Sequence, residues 1–450
     1  MTGEDRRGAR LSRRGALAVG GAGLAALAGC AGVFDRGDDP PSYDASALAA
    51  AVEAETPRPP TAFPVSVPAS MVERHRTRTR DLLDAVPEDP SVPNGVVTAR
   101  LREQRRRVVE SMAEDRSGEP PLDRLRSWRW LRAEAAKLRG VYRAATGDAD
   151  GAAVADRRDG LRSDLAAFLD GWEYRGRDPV DAFAVHRRVE RLVDRCRDPL
   201  ESGSPFPAQP TDAVFRVGDL VGGLERAAAA LADATALRDR YVGDGAPSRR
   251  AAVVAAADRL DAAVARADRA GGDAGGDGTP PFERDLENTP AQFLYDVASD
   301  LVERRRREMD EARERGHPAT AAANAGTALA GVEARSAVAA AIRDGEYGRP
   351  ADAARVKTER RRAETALTAA WDSGPATVTV PLARPAREEF ASGVRRLRSE
   401  LEEGSAPASV SATHVNWAIG SLAYAKHYAR ATPAAVDRLA STLRGAATDG

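Results

Sequence analysis

The chain has 450 residues, with 67 Lys and Arg against 68 Asp and Glu and a formal net charge of −1. That balance, with the two signs intermixed, excludes the basic footprint of a nucleic-acid binder. Two cysteines exclude a disulfide scaffold, so stability must come from a core, which a chain this long is able to bury.

The first segment carries Arg6, Arg7, Arg10, Arg13 and Arg14 against Glu4 and Asp5, and then runs without charge from Gly15 to Gly29. A basic start, a short apolar middle and small residues at the end are the parts of an export signal. A membrane-spanning helix needs about 20 well-apolar residues, whereas this run is shorter and holds five Gly. Ser12-Arg13-Arg14-Gly15-Ala16-Leu17 resembles a twin-arginine (Tat) signal, although Ala16 stands where such signals carry a bulky residue. Leu27-Ala28-Gly29-Cys30 resembles a lipobox at all four positions. The resemblance implies cleavage after residue 29, a lipid on Cys30, and anchoring to the extracytoplasmic face of the cell membrane. Residues 1–29 then form a signal peptide and 30–42 an acidic, Pro-containing tether. Beyond residue 29 the net charge is −4, since the signal carries five Arg against two acids. Lys occurs at Lys137, Lys357 and Lys426 alone. With abundant Ala, Asp and Val, this composition resembles exported lipoproteins of salt-loving archaea and other high-GC genomes.

From residue 43 the apolar spacing is helical almost throughout. It predicts an amphipathic segment over 43–55, then helices over 69–86, 95–115, 121–146, 150–173, 178–199, 211–242 and 247–270. In the fourth segment Leu122, Leu125, Trp128, Leu131, Ala135, Leu138 and Tyr142 recur at three and four, one buried stripe. Val185, Val189, Leu192 and Cys196 do the same over 178–199, which makes Cys196 a buried packing thiol. The Gly- and Asp-rich run from residue 271 reads as a linker over 271–288. Further helices are predicted over 290–315, 318–343, 350–372, 383–403, 411–430 and 433–446. The expected organisation is one helical region over 43–270 and a second over 289–446. The fold class is all-α, with short loops making neighbours antiparallel in an irregular or elongated bundle. Two short alternating segments, Pro64–Pro68 and Pro375–Pro381, are expected either to pair as a small β-ribbon or to be unrelated extended linkers, since Pro weakens a ladder.

Arg-rich tracts at 105–107, 305–307 and 360–362 could serve an anion or a lipid headgroup. Acids three or four positions away predict salt-bridged helix faces instead. His186, Glu190 and Asp194 share one helical face, a possible half-site for a metal, but Arg187, Arg191 and Arg195 surround them and would repel a cation. None of the five His is followed three residues later by Glu, the motif of iron-handling imelysin-type bundles. The richest polar-aromatic patch is on 411–430, where His414, Trp417 and Tyr428 are candidates for a ligand pocket, with tight helix packing as the alternative. No Gly-x-Ser-x-Gly, P-loop, dinucleotide fingerprint, Cys-x-x-Cys or His-Glu-x-x-His occurs, and no cofactor is expected. These features point first to a non-enzymatic scaffold or interaction module held to the membrane through Cys30. A ligand- or metal-binding lipoprotein with a site between helices is the second reading, and an enzyme without short motifs the third.

Overall fold

The computed structural model describes residues 42–446 apart from 54, 62, 203, 243–244, 271–281, 283–284, 349–352 and 403–408. Arg13, Arg14, Cys30 and most of the 271–288 linker lie outside the described residues. The order is β1 (Ser42–Asp44), α1 (Ala45–Val52), α2 (Ala69–Asp84), α3 (Gly95–Ala113), α4 (Pro121–Ala145), α5 (Gly151–Asp170), α6 (Pro179–Glu201) and α7 (Val214–Tyr241). Then follow α8 (Arg250–Ala270), α9 (Pro290–Glu314), α10 (Pro318–Arg343), α11 (Ala353–Trp371), α12 (Ala376–Leu382), α13 (Arg384–Glu402), β2 (Ser409–Ser411) and α14 (Ala412–Ala446). The protein is an all-α bundle, and no described helix is long and apolar enough to cross a membrane.

Helix starts follow local chemistry. The side chains of Asn94, Asp150 and Asp178 each accept from two backbone N–H groups of the following turn. Pro occupies the first helical position of α4, α6, α9 and α10, where its missing donor costs nothing.

The buried apolar residues form one large, mainly C-terminal core, which also takes in Tyr174, Val180 and Phe183, and two smaller N-terminal ones. The C-terminal core is built on α10 and α14, with α8, α9, α11, α12, α13 and α1 around them. Helix α10 is buried along most of its length because Ala, Gly and Thr let neighbours approach closely. The N-terminal cores are formed by α2 to α7. Gly140, Gly218 and Gly222 allow α4 and α7 to touch there: a Cβ on Gly218 would lie 2.4 Å from Val141 Cγ2 and 2.9 Å from the Lys137 carbonyl oxygen.

Helix α8 contributes Val253, Leu260 and Val264 to the large core. Two expectations are corrected. The expected break at Pro433 is absent: α14 runs through it, with Leu439 and Leu443 buried beyond it. Residues Thr377–Val380 are helical in α12, not extended, and so form no ribbon with Val67. Over four residues a period of 2 cannot be told from one of 3.6, and α12 buries Val378 and Leu382, four apart, as a helix must. A two-stranded ribbon does exist, made by β1 and β2.

Candidate functional site: an arginine-lined cavity

A cavity of about 630 Å³ opens between the N-terminal and C-terminal helices. Helix α6 supplies its floor. The α6 seam of Val185, Val189, Leu192 and Cys196 is turned into the core and fully buried. The opposite edge therefore presents Arg187, Arg191 and Arg195, spaced four apart in one row, with Arg188 beside them. Arg126 comes from the first turns of α4, and Arg384 and Arg387 from the first turn of α13. Phe63, Val65 and Val67 of the irregular segment before α2, with Trp371, Val380 and Pro381 around α12, supply apolar lining.

The charge here is unbalanced. Seven Arg line the cavity against two acids, Asp123 and Glu388. Both acids are already engaged by rim arginines: Arg126 lies 3.1 Å from Asp123, and Arg384 Nε 2.6 Å from Glu388. Arg387 donates to the Pro57 carbonyl at 3.2 Å. Among the described residues no carboxylate pairs with Arg187, Arg188, Arg191 or Arg195, and the Nε atoms of Arg187 and Arg188 are buried without an acceptor. Like charges four apart on a helix destabilise it. Burial, reinforced by Arg191, pushes Arg187 down to about 9. Burial with Arg129 and Arg191 does the same to Arg188. Arg191 falls to about 10 through burial and its neighbours Arg384 and Arg195. Arg195 is lowered by burial and by Arg129 and Arg126. All four remain cationic at neutral pH. The N-terminal turns of α4 and α13 add partial positive charge at the same place.

The adjoining ion network shows what a carboxylate-paired cluster looks like in this protein. Buried Asp233 accepts from Arg129 at 2.6 Å and lies 2.9 Å from His75 Nε2. Buried Glu225 binds Arg78, Arg132 and Arg157; burial alone would raise its pKa, but these guanidinia hold it at about 2. Here the acids are matched by cations and the arrangement ties α2, α4, α5 and α7 together. In the cavity the anionic half is missing.

The sequence-derived candidates have other roles. His186 accepts from Trp172 Nε1 at 3.1 Å and donates from Nε2 to the Arg175 carbonyl at 3.0 Å; burial pushes it down to about 4. The Glu190 carboxylate accepts from Tyr174 Oη and from the backbone N–H groups of Ala319 and Thr320, at 2.6–2.8 Å, and so caps α10. Asp194 faces His317 at 3.4 Å. The three residues share a face but serve three different partners.

His414, Trp417 and Tyr428 are not brought together either. His414 pairs with Glu400 at 3.0 Å, and Trp417 lies under Arg396 at 5.3 Å. Buried Tyr428 donates towards the Thr327 and Leu382 carbonyls. The small residue among them, Gly420, is where α14 meets α9: a Cβ there would lie 2.9 Å from Phe293 Cβ and 3.0 Å from the Leu294 nitrogen. Arg106 and Arg107 bridge to Glu103. Arg306 reaches Asp268 of α8, and Arg362 binds Glu359 at 2.9 Å.

Sequence reasoning treated the α6 arginines only as an obstacle to a metal. In sequence the row looks like the other Arg tracts, because Glu190, Asp194 and Asp198 stand three positions after Arg187, Arg191 and Arg195; the fold turns Glu190 to the N-terminus of α10 and Asp194 to His317 instead.

Comparison with known families finds two adjoining matches along the chain. Residues 70–247 match a domain of unknown function, DUF8262. Residues 250–441 match a second domain of unknown function, DUF8264. No curated protein and no solved structure matches the chain. The cavity takes α4 and α6 from the first matched stretch and α11 to α13 from the second, and interfaces between domains are a preferred place for ligand sites.

Proposed function

We propose that this protein is an exported, lipid-anchored receptor that holds an anionic ligand between its two helical regions. One observation carries the reading: four α6 arginines face a shared cavity without a carboxylate partner among the described residues. A fold does not keep a row of half-buried like charges for its own stability, since such charges cost free energy unless paired. They favour binding of whatever neutralises them, and the planar guanidinium fork matches carboxylate and phosphate oxygens in pairs. This supports the ligand-binding alternative over the scaffold expected from the sequence, with the site at the α6 arginines and not at His414, Trp417 and Tyr428. Export through Arg13-Arg14 and attachment through Cys30 complete the proposal; a tethered receptor would meet its ligand at the outer face of the membrane.

The test is calorimetric titration of the full-length protein with pyrophosphate at low and high salt. Binding that weakens with salt, and by tenfold or more in Arg187→Gln/Arg191→Gln, supports the reading. A wild-type protein indifferent to pyrophosphate at low salt contradicts it.

A further inference from the structure

The cavity has two chemically different linings, and together they define a class of ligand. Resting on the anion-receptor reading, we infer that the cavity takes an organic phosphate, with its phosphate on the α6 arginine row and an apolar body against Phe63, Val65, Val67, Trp371 and Val380.

Three features lead there. First, the charge: seven Arg against two acids, both acids already paired, leave a surplus of five. One carboxylate would neutralise little of it, whereas a phosphate monoester brings up to two negative charges and three acceptor oxygens in one compact group. Arg187 and Arg191 rise about 6 Å along the helix axis from one to the next, close enough for long side chains to converge on one phosphate. Arg195, the same distance further on, extends the row for a second phosphate or a negatively charged substituent.

Second, the size. A space of about 630 Å³ falls in the range of pockets that enclose drug-sized organic molecules and far exceeds what an inorganic ion fills. Third, the apolar lining. The 59–67 segment and the α11–α12 corner place aromatic, Val and Pro groups on the cavity, and an ion alone would leave them facing water. Pro59, Pro60 and Pro381 stiffen these elements, which lowers the ordering cost of binding. Thr61, Ser66 and Thr377 add hydroxyls for polar substituents on the body.

The experiment titrates the full-length protein with inorganic phosphate, phenyl phosphate and benzoate. The expected order is phenyl phosphate at least tenfold tighter than inorganic phosphate, with benzoate weaker than both. Val380→Ser should lower phenyl phosphate affinity about threefold or more and leave inorganic phosphate affinity unchanged. Arg187→Gln/Arg191→Gln should weaken both, while melting no lower than the wild type, which shows that the loss is not unfolding. Phenyl phosphate no tighter than inorganic phosphate overturns the organic class while leaving the anion receptor standing. Benzoate equal to phenyl phosphate overturns the phosphate. If none of the three ions nor pyrophosphate binds, the receptor reading falls as well. Short-chain phosphatidic acid in solution and phosphatidic acid vesicles then separate the sources. Vesicle capture abolished by the arginine double variant identifies a lipid phosphate; phenyl phosphate binding without it identifies a soluble one.

Discussion

Replacing Arg191 by Met removes one charge from the cavity while keeping most of the apolar stem that packs along α6. Burial, Arg384 and Arg195 lower this guanidinium from 12.5 to about 10. At about 1.4 kcal/mol per unit that amounts to roughly 3 kcal/mol against the charged form. Arg191 is half-buried beside an open cavity, so solvent screening reduces the figure to about 1–2 kcal/mol. Arg191→Met should therefore raise the stability of the ligand-free protein by that amount and lower its affinity for pyrophosphate. Urea denaturation reads the first through an upward shift of the midpoint at constant slope, and calorimetry reads the second. Arg129→Met supplies the contrast within the same chain. Arg129 is buried and holds Asp233 at 2.6 Å, so removing it strands a buried carboxylate and should cost about 3–5 kcal/mol. If Arg191→Met destabilises the protein as Arg129→Met does, the α6 row is a structural element and the argument from unpaired charge is wrong.

Acid should weaken the fold before the carboxylates titrate. Burial holds His186 down to about 4, and burial with Lys426 and Arg430 holds His427 down to about 3. Both are neutral in the native state and take up protons on unfolding, so their contribution is complete above about pH 6.5 and is lost as the pH falls towards 4. Each should cost about 2 kcal/mol by pH 4.5, and urea midpoints that do not move between pH 7 and 4.5 would refute this. Gly218→Ala forces a Cβ against Val141 and the Lys137 carbonyl. The α4–α7 contact should lose about 1–3 kcal/mol, and a thermal midpoint equal to the wild type's would show that the helices separate freely. Cys30→Ser should move the protein from the membrane pellet to the soluble fraction; continued pelleting would mean that a lipid on this residue is not its tether.

Much of the fold was legible in the sequence because helical stripes are local. The 121–146 segment is α4 at 121–145, and Cys196 is fully buried, as its place in the α6 seam required. What failed depended on tertiary context. Pro433 normally ends a helix by removing a backbone donor, yet α14 continues because residues on both sides of it are buried in the C-terminal core. Thr377–Val380 was too short to reveal its period. The site was harder still. His414, Trp417 and Tyr428 are chemically rich but extend about 20 Å along one helix at 1.5 Å per residue; the first two face α13, whereas Tyr428 reaches α10 and α12. The cavity instead draws on residues 59 to 388, and its parts look ordinary one at a time. Even the α6 row carried no local sign, since Glu190, Asp194 and Asp198 stand three positions after its arginines and only the fold takes Glu190 and Asp194 to other partners.

The most direct measurement is crystallographic. Crystals of the protein soaked in tungstate, a heavy anion with phosphate-like geometry, should show an anomalous tungsten peak within hydrogen-bonding reach of Arg187 and Arg191. Tungstate ordered elsewhere on the surface, with no peak in the cavity at saturating concentration, would contradict an anion site on the α6 arginines.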